Sequence, residues 1–96
     1  MTIIDGRAES MVQISIFSSL RRIRSLATVQ KEFGNRLREI RQEQLLTQEE
    51  LAHMAGLNRT YIGDIERGEK NITLVSMSRL AKALGVKIRD LFDWEL

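Results

Sequence analysis

From Val29 onward the apolar residues fall into helical steps. Val29, Phe33, Leu37 and Ile40 are spaced four, four and three apart, which is one face of a helix at about 29–44. Arg36, Arg38, Glu39, Arg41 and Glu43 lie largely off that stripe. Thr47-Gln48-Glu49-Glu50 has the form of a capping box, a threonine N-cap with a glutamate three residues on. The second helix it opens runs to about Ala55, with Leu51, Ala52 and Ala55 inward and Ala52 small enough for a close crossing. Gly56 ends it and Leu57-Asn58 makes the turn, with Asn58 a good N-cap for a third helix over 59–66 that faces Ile62 and Ile65 to the core. Gly68 stops that helix, residues 69–72 form a loop, and Thr73 caps a fourth helix. Its apolar face is Leu74, Met77, Leu80, Ala81 and Leu84, and Gly85 closes it. A short fifth helix at about 88–93 brings in Leu91 and Phe92. The pattern predicts an all-α domain of five helices over residues 29–96, preceded by an extension over 1–28.

Composition agrees with that picture. The chain has 96 residues, enough for one domain. It has no proline to break helices and only 5% aromatic residues. It has no cysteine, which excludes disulfides and thiolate metal sites. Its longest uncharged stretch, residues 10–20, is too short to span a membrane. No secretory signal is visible, because Asp5 and Glu9 stand where a positive region belongs, so the expected location is cytoplasmic. The formal net charge is +2, and residues 1–30 supply all of it. Residues 31–96 carry eleven basic and eleven acidic groups, so any affinity for a polyanion there depends on where charges sit. The extension holds Arg21, Arg22 and Arg24, with Ile16, Leu20 and Ile23 at helical spacing. A tail without fixed order, a basic arm on DNA, a helix packed on a partner subunit and a misassigned start codon are all open for it.

The chemistry concentrates at the third helix. Two short helices joined by a tight turn are the layout of a DNA-reading helix-turn-helix. The second helix begins with two glutamates, as the helix dipole favours, whereas the third begins with Arg59, a cation at the positive end. A local stability rule broken at one place marks a candidate functional site. With Ile62 and Ile65 buried, Arg59, Thr60, Gly63 and Asp64 project outward as candidate base readers. Arg59 offers two donors to guanine O6 and N7, and Thr60 offers a methyl and a hydroxyl. The bare surface of Gly63 allows close approach by DNA or by the second helix. Asp64 is a cytosine reader or an anchor for Arg59. Gln48 and Asn58 begin helices whose N–H groups favour phosphate, and Tyr61, Lys70, Asn71 and Thr73 are further candidate backbone contacts.

Residues 47–84 resemble the phage-repressor/Cro-like helix-turn-helix family, and the flanking helices extend the match to about 31–92. The runs Arg59-Thr60-Tyr61-Ile62, Ile65-Glu66-Arg67 and Asn71-Ile72-Thr73-Leu74 are similar to the small controller proteins of restriction–modification systems. The resemblance implies a lambda-repressor-like fold, backbone contact by Gln48, base reading by Arg59 and Thr60, and a structural ion pair between Arg41 and Glu66. Two features depart from the family: the long extension before the core, and Asp64 on a face that often carries a neutral polar residue.

One recognition helix covers few base pairs, so useful specificity points to a homodimer on a pseudo-palindromic site of double-stranded DNA. Ile88, Leu91, Phe92, Trp94 and Leu96 are the candidates for its apolar interface, and some of them complete the core instead. No catalytic set, cofactor motif, metal site or small-molecule site is visible; His53, the only histidine, falls on a solvated face. The expectation is a non-enzymatic transcriptional regulator. Its rivals are an antitoxin that binds a toxin through the extension, and a protein-interaction module that has lost its DNA contacts.

Overall fold

The computed structural model describes residues 28–94. Expectations for the extension and for Leu96 lie outside the described residues. Four α-helices are present, followed by a single-turn 3-10 helix, and there is no strand among the described residues. The helices are α1 over 28–43, α2 over Gln48–Ala55, α3 over Arg59–Glu66 and α4 over Leu74–Leu84. The 3-10 helix spans Ile88–Phe92, where the sequence pattern suggests an ordinary helical turn.

The N-termini of α2, α3 and α4 are each set by a local side chain. Thr47 and Glu50 form the reciprocal capping box: Glu50 N–H donates to Thr47 Oγ1 at 3.0 Å and Thr47 N–H to Glu50 Oε1 at 2.9 Å. Asn58 Oδ1 accepts from Thr60 N–H at 2.7 Å, and Thr73 Oγ1 from Ser76 N–H at 3.0 Å. The C-termini share one device. The N–H groups of Leu46, Leu57, Glu69 and Val86 donate to the carbonyls of Arg41, Ala52, Asp64 and Ala81, each closing a helix through a residue with positive φ. Gly56, Gly68 and Gly85 fill three of those positions; the fourth is Leu45, at φ 58°.

The core is one cluster in which Phe33, Leu37, Ile40, Leu51, Ile62, Ile65, Leu80, Leu84 and Leu91 are buried. Two expectations change here. Leu74 is 70% exposed, because it sits in the first turn of α4, before that helix reaches the core. Leu91 is fully buried within the protomer, so it belongs to the core and leaves the candidate interface.

Two glycines let α1 seat against α3. A Cβ on Gly34 would lie 2.3 Å from the Ile65 carbonyl oxygen and 2.7 Å from that of Glu66. A Cβ on Gly68 would lie 2.9 Å from Lys31 Cα. The backbone of α1 therefore rests directly on the last turn of α3, a contact that no side chain could occupy.

Candidate nucleic-acid interface

The position of α3 is fixed from behind by a buried charge cluster. Glu66, at its end, is 1% exposed. Arg41 Nε donates to Glu66 Oε2 at 2.6 Å and Arg41 Nη2 to Oε1 at 2.9 Å, a two-pronged pair joining α1 to α3. Gln48 Nε2 donates to Oε1 at 3.0 Å from α2, and Arg38 Nε at 3.4 Å from α1. Arg41 Nη1 also donates to the Leu46 carbonyl at 2.7 Å, tying the loop before α2 to the same cluster. Burial pushes the Glu66 carboxyl up, but hydrogen bonds from Arg41, Gln48 and Arg38 and the Arg41 charge outweigh it and hold it below the usual glutamate range. The hydrogen bonds that Arg41 donates to Glu66, against the opposing effect of burial, raise the pKa of the Arg41 guanidinium.

This assigns Gln48 a job the sequence did not reveal. Its amide nitrogen faces inward to Glu66, while its Oε1 lies 3.7 Å from where a Gly63 Cβ would be. The side chain thus bridges α2 and α3. It braces the turn as well as standing at the start of α2.

The opposite side of α3 is open. Arg59 and Thr60 are exposed, as is Asn58. Arg59 has no hydrogen-bond or ion-pair partner among the described residues. It borders a solvent-facing hollow of about 740 Å3 that runs along α2 past Glu49 and His53. The first turn of α3 contains no acid, whereas that of α2 contains Glu49 and Glu50. The positive end of the α3 dipole and the Arg59 charge therefore add together and face solvent.

Gly63 does not project outward as a base reader: it is buried, its Cβ position facing Gln48 of α2 and Arg67, so its missing side chain serves the close approach of those groups. Asp64 does not anchor Arg59: its carboxylate accepts from Arg67 Nη2. Arg67 Nε also donates to Glu69 Oε2 at 3.2 Å. Tyr61 is half-buried, and its hydroxyl donates to Ser76 Oγ at 3.3 Å, which fastens α3 to the first turn of α4. Lys70, Asn71 and Thr73 are exposed on the connection from α3 to α4. Of these, Asn71 accepts from the Gln30 amide of α1 and Thr73 caps α4. Lys70 has no such partner among the described residues.

Sequence reasoning missed Gly34, Gly68 as a seat for α1, and Arg67. A glycine inside an otherwise helical pattern was the available signal for Gly34.

Among the described residues no group of three or more His, Cys, Asp or Glu side chains could hold a metal ion. No helix among them is long and apolar enough to cross a membrane.

Comparison with known proteins identifies this arrangement. A family model described as helix-turn-helix matches residues 37–91. Control protein C.BamHI of Bacillus amyloliquefaciens is 46% identical over 63 residues, which cover 65% of this chain and 78% of that protein. Control protein C.MunI of Mycoplasma sp is 39% identical over 62 residues, 64% of this chain and 84% of that protein. The crystal structure of the restriction–modification controller protein C.AhdI from Aeromonas hydrophila superimposes with a TM-score of 0.64. It is 48% identical, and the match covers 65% of this chain and 94% of that one. The chain belongs to the helix-turn-helix family of DNA-binding transcriptional regulators.

Proposed function

We infer that this protein is a homodimeric controller of the restriction–modification type that reads a pseudo-palindromic operator in the cytoplasm and catalyses no reaction. The observation that carries the reading is Arg59 at the capped N-terminus of α3, exposed and without a partner among the described residues. A lone cation there opposes the helix dipole by about 0.3–1 kcal/mol. An anionic or acceptor-rich ligand reverses that sign. Arg59 then reads guanine and Thr60 a neighbouring base edge, while Lys70 and Asn71 meet backbone phosphates. The similarity to the control proteins C.BamHI and C.MunI and to the restriction–modification controller C.AhdI supports the controller type.

The dimer surface falls to the C-terminal end. Ile88 and Phe92 are 36% and 39% exposed after folding, although the Phe92 ring makes tilted contacts with Phe33 and Trp94 at centroid distances of 5.2 and 5.3 Å. Trp94 Nε1 is buried and has no acceptor among the described residues. An apolar edge beside an unspent donor suits a second copy of the chain.

Selection of bound duplexes from a random pool tests the reading, with sedimentation to give the stoichiometry. The expected result is a two-fold symmetric site bound by two chains, with affinity falling steeply as salt rises. Arg59→Ala is expected to cost about 1–3 kcal/mol and to relax preference at one base per half-site. Equal loss on all duplexes refutes base reading by Arg59. Negligible affinity at low salt favours a protein-interaction module instead.

A further inference from the structure

The outward arc of α3 holds one charged residue without a task. At about 100° per residue, Arg67 stands seven positions after Thr60, two turns less about 20°. Both therefore point away from Ile62 and Ile65, near the middle of the exposed arc. Helical side chains lean toward the N-terminus of their helix. Arg67, the C-cap of α3, does so: its Nη1 lies 3.2 Å from the position of a Gly63 Cβ. The missing side chain at Gly63 gives the guanidinium a place on the same stripe as Thr60. Asp64 accepts from its Nη2 and Glu69 from its Nε, while Nη1 and Asp64 Oδ2 have no partner among the described residues.

We propose that Arg67 is a specificity-determining residue that donates to guanine O6 and N7, with Asp64 as the positioning residue that fixes its fork and accepts from an adjacent cytosine amino group. The assignment rests on the DNA-reading role of α3. The charge around the guanidinium decides between base and phosphate. One arginine flanked by Asp64 and Glu69 has net negative surroundings, which repel a phosphate. Base edges in the major groove instead offer discrete acceptors to the free N–H groups and a donor to the free carboxylate oxygen. Arg67 thus extends the readout beyond Arg59 and Thr60 by using the room that Gly63 leaves.

Binding-site selection with the wild type, Arg67→Lys, Arg67→Ala and Asp64→Asn tests this. Circular dichroism and thermal melting report the fold of each variant. Arg67→Lys keeps the charge and the stem but loses the fork. It is expected to lose about 5- to 150-fold discrimination for one guanine per half-site, at a position distinct from that lost in Arg59→Ala. Asp64→Asn is expected to weaken preference at the same position. In duplexes carrying 7-deazaguanine at that position, the wild type is expected to bind correspondingly more weakly, a readout independent of variant folding. Unchanged base preference in Arg67→Lys overturns the assignment. So does uniform weakening by Arg67→Ala with a shallower salt dependence, the signature of a phosphate contact. A wild type that selects no sequence overturns the regulator reading itself, and this assignment with it.

Discussion

Arg41 and Glu66, separated by 25 residues in sequence, meet in a buried two-pronged pair that joins the last turn of α1 to the end of α3. Removing one member strands the other. Arg41→Met leaves a buried carboxylate with only the weaker Arg38 contact and the Gln48 amide. It is expected to cost about 3 kcal/mol, the low end for a broken buried pair. The double variant Arg41→Met/Glu66→Leu removes both charges and is expected to be more stable than Arg41→Met alone. Urea unfolding of the two variants and the wild type measures this; a loss below about 1 kcal/mol for Arg41→Met goes against it.

Acid sensitivity follows from the same carboxylate. Glu66 and Glu50 both lie below the usual glutamate range, Glu50 through its backbone and side-chain hydrogen bonds with Thr47. The unfolded chain therefore binds protons at these groups more readily than the folded one. Their contribution is complete above the ordinary glutamate value, about 4.3, and is lost as pH falls through the lower folded values. Unfolding free energy is expected to decline below about pH 4.5, and Glu66→Gln to flatten the decline. Chemical unfolding at a series of pH values tests this; an identical slope in Glu66→Gln contradicts it.

Gly34→Ala is expected to be among the most damaging single-methyl additions in the domain. The added carbon would press on backbone oxygens at 2.3 and 2.7 Å, which cannot rotate away. Overpacking typically costs about 1–3 kcal/mol, and a rigid backbone neighbour places this site at or above the top of that range. Because α1 would have to lift from α3, DNA affinity falls along with melting temperature. Gly63→Ala provides the control: its nearest neighbours are the ends of Arg67 and Gln48, which have room to move. Similar melting temperatures for the two variants would remove the argument.

Leu45 runs the other way. It closes α1 in the left-handed conformation and is 89% exposed, so it buries little apolar surface in return for its strain. That conformation costs an L-residue roughly 1–2 kcal/mol, less for asparagine. Leu45→Asn is expected to stabilise the domain by about 0.5–1 kcal/mol without altering DNA preference. Thermal unfolding checks it, and a lower melting temperature counts against it.

These cases show where the sequence was legible. Thr47, Asn58 and Thr73 could be read as caps because capping is satisfied within three residues. Ile62 and Ile65 could be read as core because a helix cannot bury both and hide Arg59 and Thr60. Gly34 escaped because its reason is the crossing of a distant helix. Arg67 escaped because it lies past the last periodic residue and returns over Gly63 only once the helix is built. Leu74 was misread because a first-turn position fits the apolar stripe while standing clear of the core. Leu91 and Phe92 could not be divided, since both fit one short helical pattern and only the closed core shows which is covered.

Because Ile62, Ile65 and Glu66, with the glycine seats at Gly34 and Gly68, hold α3 from its rear, the exposed groups on its front face bear little of the burden of folding. Arg59, Thr60, Asp64 and Arg67 are free to be exchanged for other side chains while the scaffold keeps its melting behaviour. With those groups reading DNA as proposed, a lineage built on this plan would acquire new target sequences by changing a handful of surface letters.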